Sequence, residues 1–252
     1  MIEFVDLATA KDHKGVRIVV QGIAPSPWSE AAKGLFRLAQ IPLVAVRQMA
    51  GDKDLTAWAG VDNAPVVFHG REPARTSFAQ ITGLVARLAP DVVVPSDPIA
   101  RADVMGTLEM IAGEDGLGWN GRLAMIHAGL TSNGERGFPG PVAGYLAKRY
   151  GYTPQVAEGL EARVTTQVVY LTQKLAGREY FGGAKPNALD VYTATFLTPL
   201  TRLTAADCPN ATPMIIAAFA ASADEFGALV PAELLALRTK MYERHLAWPI
   251  AI

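Results

Sequence analysis

Val16-Arg17-Ile18-Val19-Val20-Gln21-Gly22-Ile23-Ala24-Pro25-Ser26-Pro27-Trp28-Ser29-Glu30 is the stretch on which the fold turns. Its β-branched start reads as a strand, and the segment from Gly22 to Pro27, with two prolines, ends it. From Ser29 the apolar residues Ala31, Leu35, Leu38 and Ala39 recur at helical spacing, until Pro42 forbids continuation and opens the run Leu43, Val44, Val46. The order is β, α, β. A polar, glycine-containing connection from Ala50 to Gly60 leads to Ala64-Pro65-Val66-Val67-Phe68. A His69-Gly70 turn then separates that run from a short polar strand at Glu72 to Arg75, which together read as a hairpin. Phe78, Ile81, Leu84, Val85 and Leu88 mark one face of a helix that Pro90 ends. Residues 16–90 thus spell βαβ followed by ββα.

Past Pro90 the texture changes. Pro90, Pro95 and Pro98 break a short linker, and nearly everything afterwards has helical periodicity, so the chain divides into an extension at 1–15, an α/β domain at 16–90 and an all-helical domain at 97–252. Val156, Leu160, Val164, Val168, Leu171 and Leu175 predict one amphipathic helix entered through Pro154 and left at Gly177. Further helices are expected over 98–112, 119–130, 140–150, 213–226 and 231–246. Asn187-Ala188-Leu189-Asp190 reads as an N-cap with an acidic residue at the third helical position.

Composition narrows the function. The 252 residues are half apolar and carry 23 Lys plus Arg against 24 Asp plus Glu, which gives no clustered basic surface for nucleic acid or an anionic membrane. The longest apolar run, Met214 to Ala221, is far short of the roughly 20 residues of a membrane span. Cys208 alone forms no internal disulfide, and the start MIEFVDLATAKDHK lacks the order of a secretory signal, so a cytoplasmic address is expected. The four histidines, at 13, 69, 127 and 245, have no ligand-like spacing, and no metal is expected. Gly116-Leu117-Gly118-Trp119-Asn120-Gly121 matches the G-x-G-x-x-G dinucleotide fingerprint. It follows a helical pattern rather than a strand, however, and reads as a glycine-rich helix connection.

Three segments remain for chemistry. Ser26 sits where a strand gives way to a helix, whose N-terminal amides and dipole favour anions, and its hydroxyl can donate to a thiolate. Equally, Ser26 or Ser29 is an ordinary N-cap with Pro27 in the first turn. Ala64-Pro65 makes sense at a strand start or as a cis turn beside a ligand. Ser77-Phe78-Ala79-Gln80 satisfies the capping-box pattern, which explains it fully, and the same amides can also take a carboxylate. Trp28 is either a pocket wall or plain core, and Leu246-Ala247-Trp248-Pro249-Ile250 either covers a cleft or packs.

Ser26-Pro27-Trp28-Ser29-Glu30, Ala64-Pro65-Val66-Val67, Thr76-Ser77-Phe78-Ala79-Gln80-Ile81 and Asn187-Ala188-Leu189-Asp190 resemble, in order and spacing, the motifs of the glutathione transferase superfamily. The resemblance runs from about residue 16 to 230. It implies a thioredoxin-like N-terminal domain, an all-helical C-terminal bundle and a homodimer. Ser26 falls at the family's catalytic Cys or Ser position, Ala64 and Pro65 in its cis-proline loop, and Thr76 and Ser77 at its E-S helix start. Thr76 replaces the acidic residue that holds the glutathione amino group; Glu72 or Asp62 is the available substitute. The implied function is transfer of glutathione, as cosubstrate, to a hydrophobic electrophile. The alternatives are a noncatalytic interaction module with the same fold, favoured by Thr76, and a glutathione-dependent lyase or isomerase.

Overall fold

The computed structural model describes residues 2–49 and 51–252. Met1, in the expected extension, and Ala50, in the expected connection, lie outside the described residues. The first half is a four-stranded sheet with helices around it. Strands β1 (Ile2–Phe4), β2 (Val16–Gln21), β3 (Leu43–Gln48) and β4 (Val66–His69) alternate with helices α1 (Leu7–Asp12), α2 (Pro27–Leu38), α3 (Lys53–Ala59) and α4 (Phe78–Leu88). The spatial order is β1-β3-β2-β4, with β1, β3 and β2 parallel and β4 antiparallel to β2. This is the expected thioredoxin-like arrangement, and the segments Ile18-Val19-Val20 of β2 and Leu43-Val44-Ala45-Val46 of β3 are continuously apolar because both faces of the sheet are covered.

Three local features depart from the expectation. The start of the 1–15 extension joins the sheet: Ile2 to Phe4 pair with Leu43 to Ala45, and three residues are too few to show a period-2 pattern. The expected second hairpin strand at 72–75 shrinks to a single bridge, in which Val67 and Arg75 exchange both backbone bonds at 2.9 Å. The polar connection contains α3, started by Asp52, whose side chain accepts from the Leu55 N–H at 2.9 Å, and stopped by Gly60 in the left-handed conformation. Only Leu55 and Ala59 of α3 are buried, which is why apolar periodicity does not reveal it.

The second half is helical throughout: α5 (Pro98–Ala112), α6 (Leu117–Thr131), α7 (Gly140–Arg149), α8 (Pro154–Ala157), α9 (Leu160–Leu175), α10 (Ala188–Phe196), α11 (Pro213–Phe226) and α12 (Ala232–Arg244). The single helix expected from 156 to 175 is two, because Gly159 adopts φ 72° and interrupts it. Helix α10 is buried along its whole length and starts with the expected box: the Asn187 side chain accepts from the helix, and Asp190 accepts from the Asn187 N–H at 2.8 Å. Asp190 also takes the Phe181 N–H at 2.9 Å, tying the preceding loop to the helix. One apolar core runs through both halves, joining Phe36 and Ile81 to Leu108, Tyr192 and Phe196. No helix among the described residues is long and apolar enough to cross a membrane.

The apolar tail packs along the flank of α2. Lys33 Nζ donates to the Ala251 carbonyl at 2.5 Å, Arg47 Nε to the Ile252 carbonyl at 2.6 Å, and the Ile250 N–H to the Asp207 carbonyl at 2.8 Å.

Candidate functional site

The strand register gathers the motifs. Val19 pairs with Val66, so Ala64-Pro65, just before β4, lies beside the end of β2 from which the chain enters the Ser26 turn. Val67 pairs with Arg75, so Thr76 and Ser77 run past Val66 and Pro65. Ser26, Ala64, Pro65, Thr76 and Ser77 therefore belong to one end of the sheet.

Ser26 stands at the N-cap position of α2 yet makes no capping bond, and its hydroxyl bonds to no described residue. Pro27 at the first helical position has no N–H to satisfy, which relieves Ser26 of part of a cap's work. Ser29 is otherwise engaged: its hydroxyl accepts the Gln21 N–H at 3.2 Å and fastens α2 to the end of β2. Of the two serines, the half-buried Ser26 alone has a free hydroxyl at the positive end of a twelve-residue helix.

The Ala64-Pro65 bond is cis, and neither the N–H nor the carbonyl of Ala64 bonds to a described residue. At the third segment the structure answers the sequence differently. Ser77 caps α4 by accepting the Gln80 N–H at 3.3 Å, while Gln80 Oε1 accepts the Thr76 N–H at 3.0 Å and the Ser77 N–H at 3.3 Å. The amides expected to hold a carboxylate are thus covered by a carboxamide of the chain itself.

Neither substitute for the missing acid at 76 is fully free. Glu72 bonds to His69 at 2.7 Å, to Arg87 at 2.6 Å and to Arg75, and these partners, Arg87 first, hold its carboxyl at about 2, far below the usual carboxylate range. Asp62 is exposed on the loop leading to Ala64; one carboxylate oxygen accepts from Gln48 Nε2 at 3.3 Å and its carbonyl accepts from Arg149 Nη2 at 2.7 Å.

Trp28 crosses between the halves. Its indole N–H donates to the Ala112 carbonyl at 2.9 Å, its ring meets Phe196 edge-on at 4.8 Å, and its far edge lies against α6 at Gly118. Beyond it lies a residue the sequence motifs do not signal. Arg122, one turn after Gly118, has its guanidinium 5.9 Å from the Trp28 ring, 5.5 Å from Phe138 and 5.6 Å from Tyr150. Among the described residues no group of His, Cys, Asp and Glu is arranged to hold a metal ion.

No family model and no curated protein matches the sequence, so similarity is visible only in three dimensions. The chain has the glutathione transferase fold. A glutathione transferase family member from Pseudomonas fluorescens Pf-5, solved with two glutathione molecules bound, superposes with TM-score 0.58 at 16% identity, over 92% of this chain and 89% of that one. A glutathione S-transferase from Methylobacillus flagellatus KT, solved with glutathione bound, gives TM-score 0.59 at 11% identity, over 91% and 96%. The Tau class glutathione S-transferase of mango, Mangifera indica, gives 0.52 at 17%, over 92% and 99%.

Proposed function

We propose that this protein is a serine-type glutathione transferase that joins glutathione to a hydrophobic electrophile. In this reading residues 16–90, with β1, form the glutathione-binding domain and residues 97–252 supply the electrophile's side of the cleft. The observation that carries it is the unpartnered Ser26 hydroxyl at the start of α2, at the sheet end shared with the unused Ala64 backbone. An extended tripeptide aligned on the Ala64 N–H and carbonyl would set its cysteine beside Ser26. The Ser26 O–H donates to the thiolate, the helix dipole adds to it, and the thiol's proton passes to solvent. The thiolate sulfur then forms the bond to the electrophilic carbon as the leaving group departs. Trp28 walls the pocket on the helical side. The family resemblance extends this reading to a cytoplasmic homodimer, which sedimentation of the purified protein tests for the oligomer.

Calorimetric titration with reduced glutathione tests the reading before any electrophile is chosen. Saturable binding at millimolar concentration or tighter supports it, and Ser26→Ala should then lower turnover roughly 10- to 1000-fold, as expected for one positioned donor. An unchanged rate removes Ser26 from the mechanism. One observation favours a second reading, a noncatalytic module of the same fold: Gln80 already occupies the Thr76 and Ser77 amides. Absence of glutathione binding by calorimetry and by thermal shift would make that reading the better one.

A further inference from the structure

We propose that Arg122 recognises an anionic group on the electrophile, so that the second substrate is a flat apolar molecule carrying a carboxylate or sulfonate. The inference rests on the transferase reading for the word substrate, but the anion site stands on its own geometry. Arg122 is half-buried on α6, and its guanidinium lies within 6 Å of three ring centroids: Trp28 from α2, Phe138 from the loop after α6, and Tyr150 at the end of α7. These rings are themselves fixed. Phe138 is hooked to α6 by its N–H on the Met125 carbonyl at 3.1 Å, Tyr150 leans on Trp119 with centroids 4.7 Å apart, and Trp28 is bonded to Ala112.

What the cluster lacks is an anion. Among the described residues Arg122 has no carboxylate within 4 Å and no side-chain hydrogen bond. Arg37, Arg71, Arg101 and Arg238 also lack an acidic partner, and Arg122 differs from them in having three rings within 6 Å of its guanidinium, where Arg238 has only Tyr242. Ring faces attract a guanidinium but accept none of its five N–H groups in its own plane. The three rings form an aromatic wall beside the half-buried guanidinium. The same wall reaches the glutathione side, since Arg149, the residue before Tyr150, bonds to the Asp62 carbonyl on the loop leading to Ala64. A bidentate anion attached to a flat apolar body satisfies both features, the fork by its charge and the rings by its surface. The carboxylate could come from the electrophile or from the glycyl end of glutathione, and we assign it to the electrophile because Arg122 sits on the helical half, beyond Trp28.

The test uses 1-naphthoate and its neutral counterpart 1-naphthamide as probes, titrated calorimetrically into the full-length protein without glutathione. The wild type should bind naphthoate at least about tenfold more tightly than naphthamide, the advantage of a charge-assisted pair. Arg122→Met should erase that preference, and Arg122→Lys should keep part of it. Equal binding of the two probes by the wild type, no binding of either, or a preference that survives Arg122→Met overturns the proposal. Should the Met variant fail to fold, the wild-type ratio and the Lys variant still decide. Glutathione is titrated separately: affinity unchanged in Arg122→Lys and Arg122→Met supports the assignment, and affinity lost with the guanidinium assigns it to the glycyl carboxylate and overturns ours. If no form binds glutathione, the transferase reading fails while the naphthoate comparison still judges the anion site.

Discussion

Two glycines of the same fingerprint-like run should respond oppositely to one added methyl group. A Cβ at Gly118 would lie 2.3 and 2.4 Å from two ring carbons of Phe196 and 3.1 Å from the Trp28 ring. Ordinary contact begins near 3.4 Å, so the Phe196 ring would have to retreat by about 1 Å. It has nowhere to go. Phe196 is 1% exposed, stacked on Tyr192 at 5.7 Å and held edge-on by Trp28 at 4.8 Å. Gly118→Ala should therefore cost about 1 to 3 kcal/mol of overpacking, of which the helix propensity of alanine returns less than about 1. At Gly121, inside α6, the nearest atom to an added Cβ is Leu200 Cδ2 at 3.8 Å, an ordinary contact. Gly121→Ala should stabilise the protein by about 0.5 to 1 kcal/mol. For a chain of this size those changes correspond to Tm shifts of roughly 2 to 4 °C per kcal/mol, measurable by calorimetric or fluorescence melting. Because Phe196 supports Trp28, Gly118→Ala should also shift tryptophan emission, and Gly121→Ala should not. A Gly118→Ala protein as stable as the wild type, or two substitutions acting with the same sign, would refute the packing argument.

Burial raises the Asp190 carboxyl from 3.8 to about 6 against the backbone N–H bonds it accepts, so its favourable contribution is present at pH 4 and lost as pH rises through 6. That loss is worth about 3 kcal/mol, and urea midpoints of Asp190→Asn should lack this component of the pH dependence between 4 and 7. Glu72 has the opposite sign: its depressed carboxyl stabilises the fold above the ordinary carboxylate range and ceases to do so as pH falls through about 2. The stability difference between wild type and Glu72→Gln should accordingly vanish in strong acid. Gln80→Ala should weaken the α4 cap by about 1 kcal/mol while raising glutathione affinity by freeing the Thr76 and Ser77 amides, and lower affinity on titration would show that those amides do not meet the ligand. Ser77→Ala should cost a similar amount of stability, its effect on glutathione affinity separating a cap from a ligand contact.

Local chemistry made a large part of this protein legible from sequence. Runs of β-branched residues bounded by glycine and proline specify β2 and β3, and apolar positions at helical spacing specify α2, α4, α5 and α11. The caps at Ser77 and Asn187 announce themselves because a short side chain three residues from its partner can satisfy helix amides without help from elsewhere. The motifs at 26, 64 and 76 were likewise readable as segments. What sequence could not supply was any interaction whose partners are far apart along the chain. Strand β1 exists because β3 offers it an edge, and its three residues have no pattern of their own. Ser26 and Ser29 look interchangeable until the end of β2 claims the Ser29 hydroxyl. Trp28 meets Ala112 across 84 positions, and Arg122 gathers rings from three separate elements. Propensity and capping act within a turn of helix or a strand pair, whereas a cleft between two halves is fixed by packing, and only the folded chain decides which charge is left without a partner.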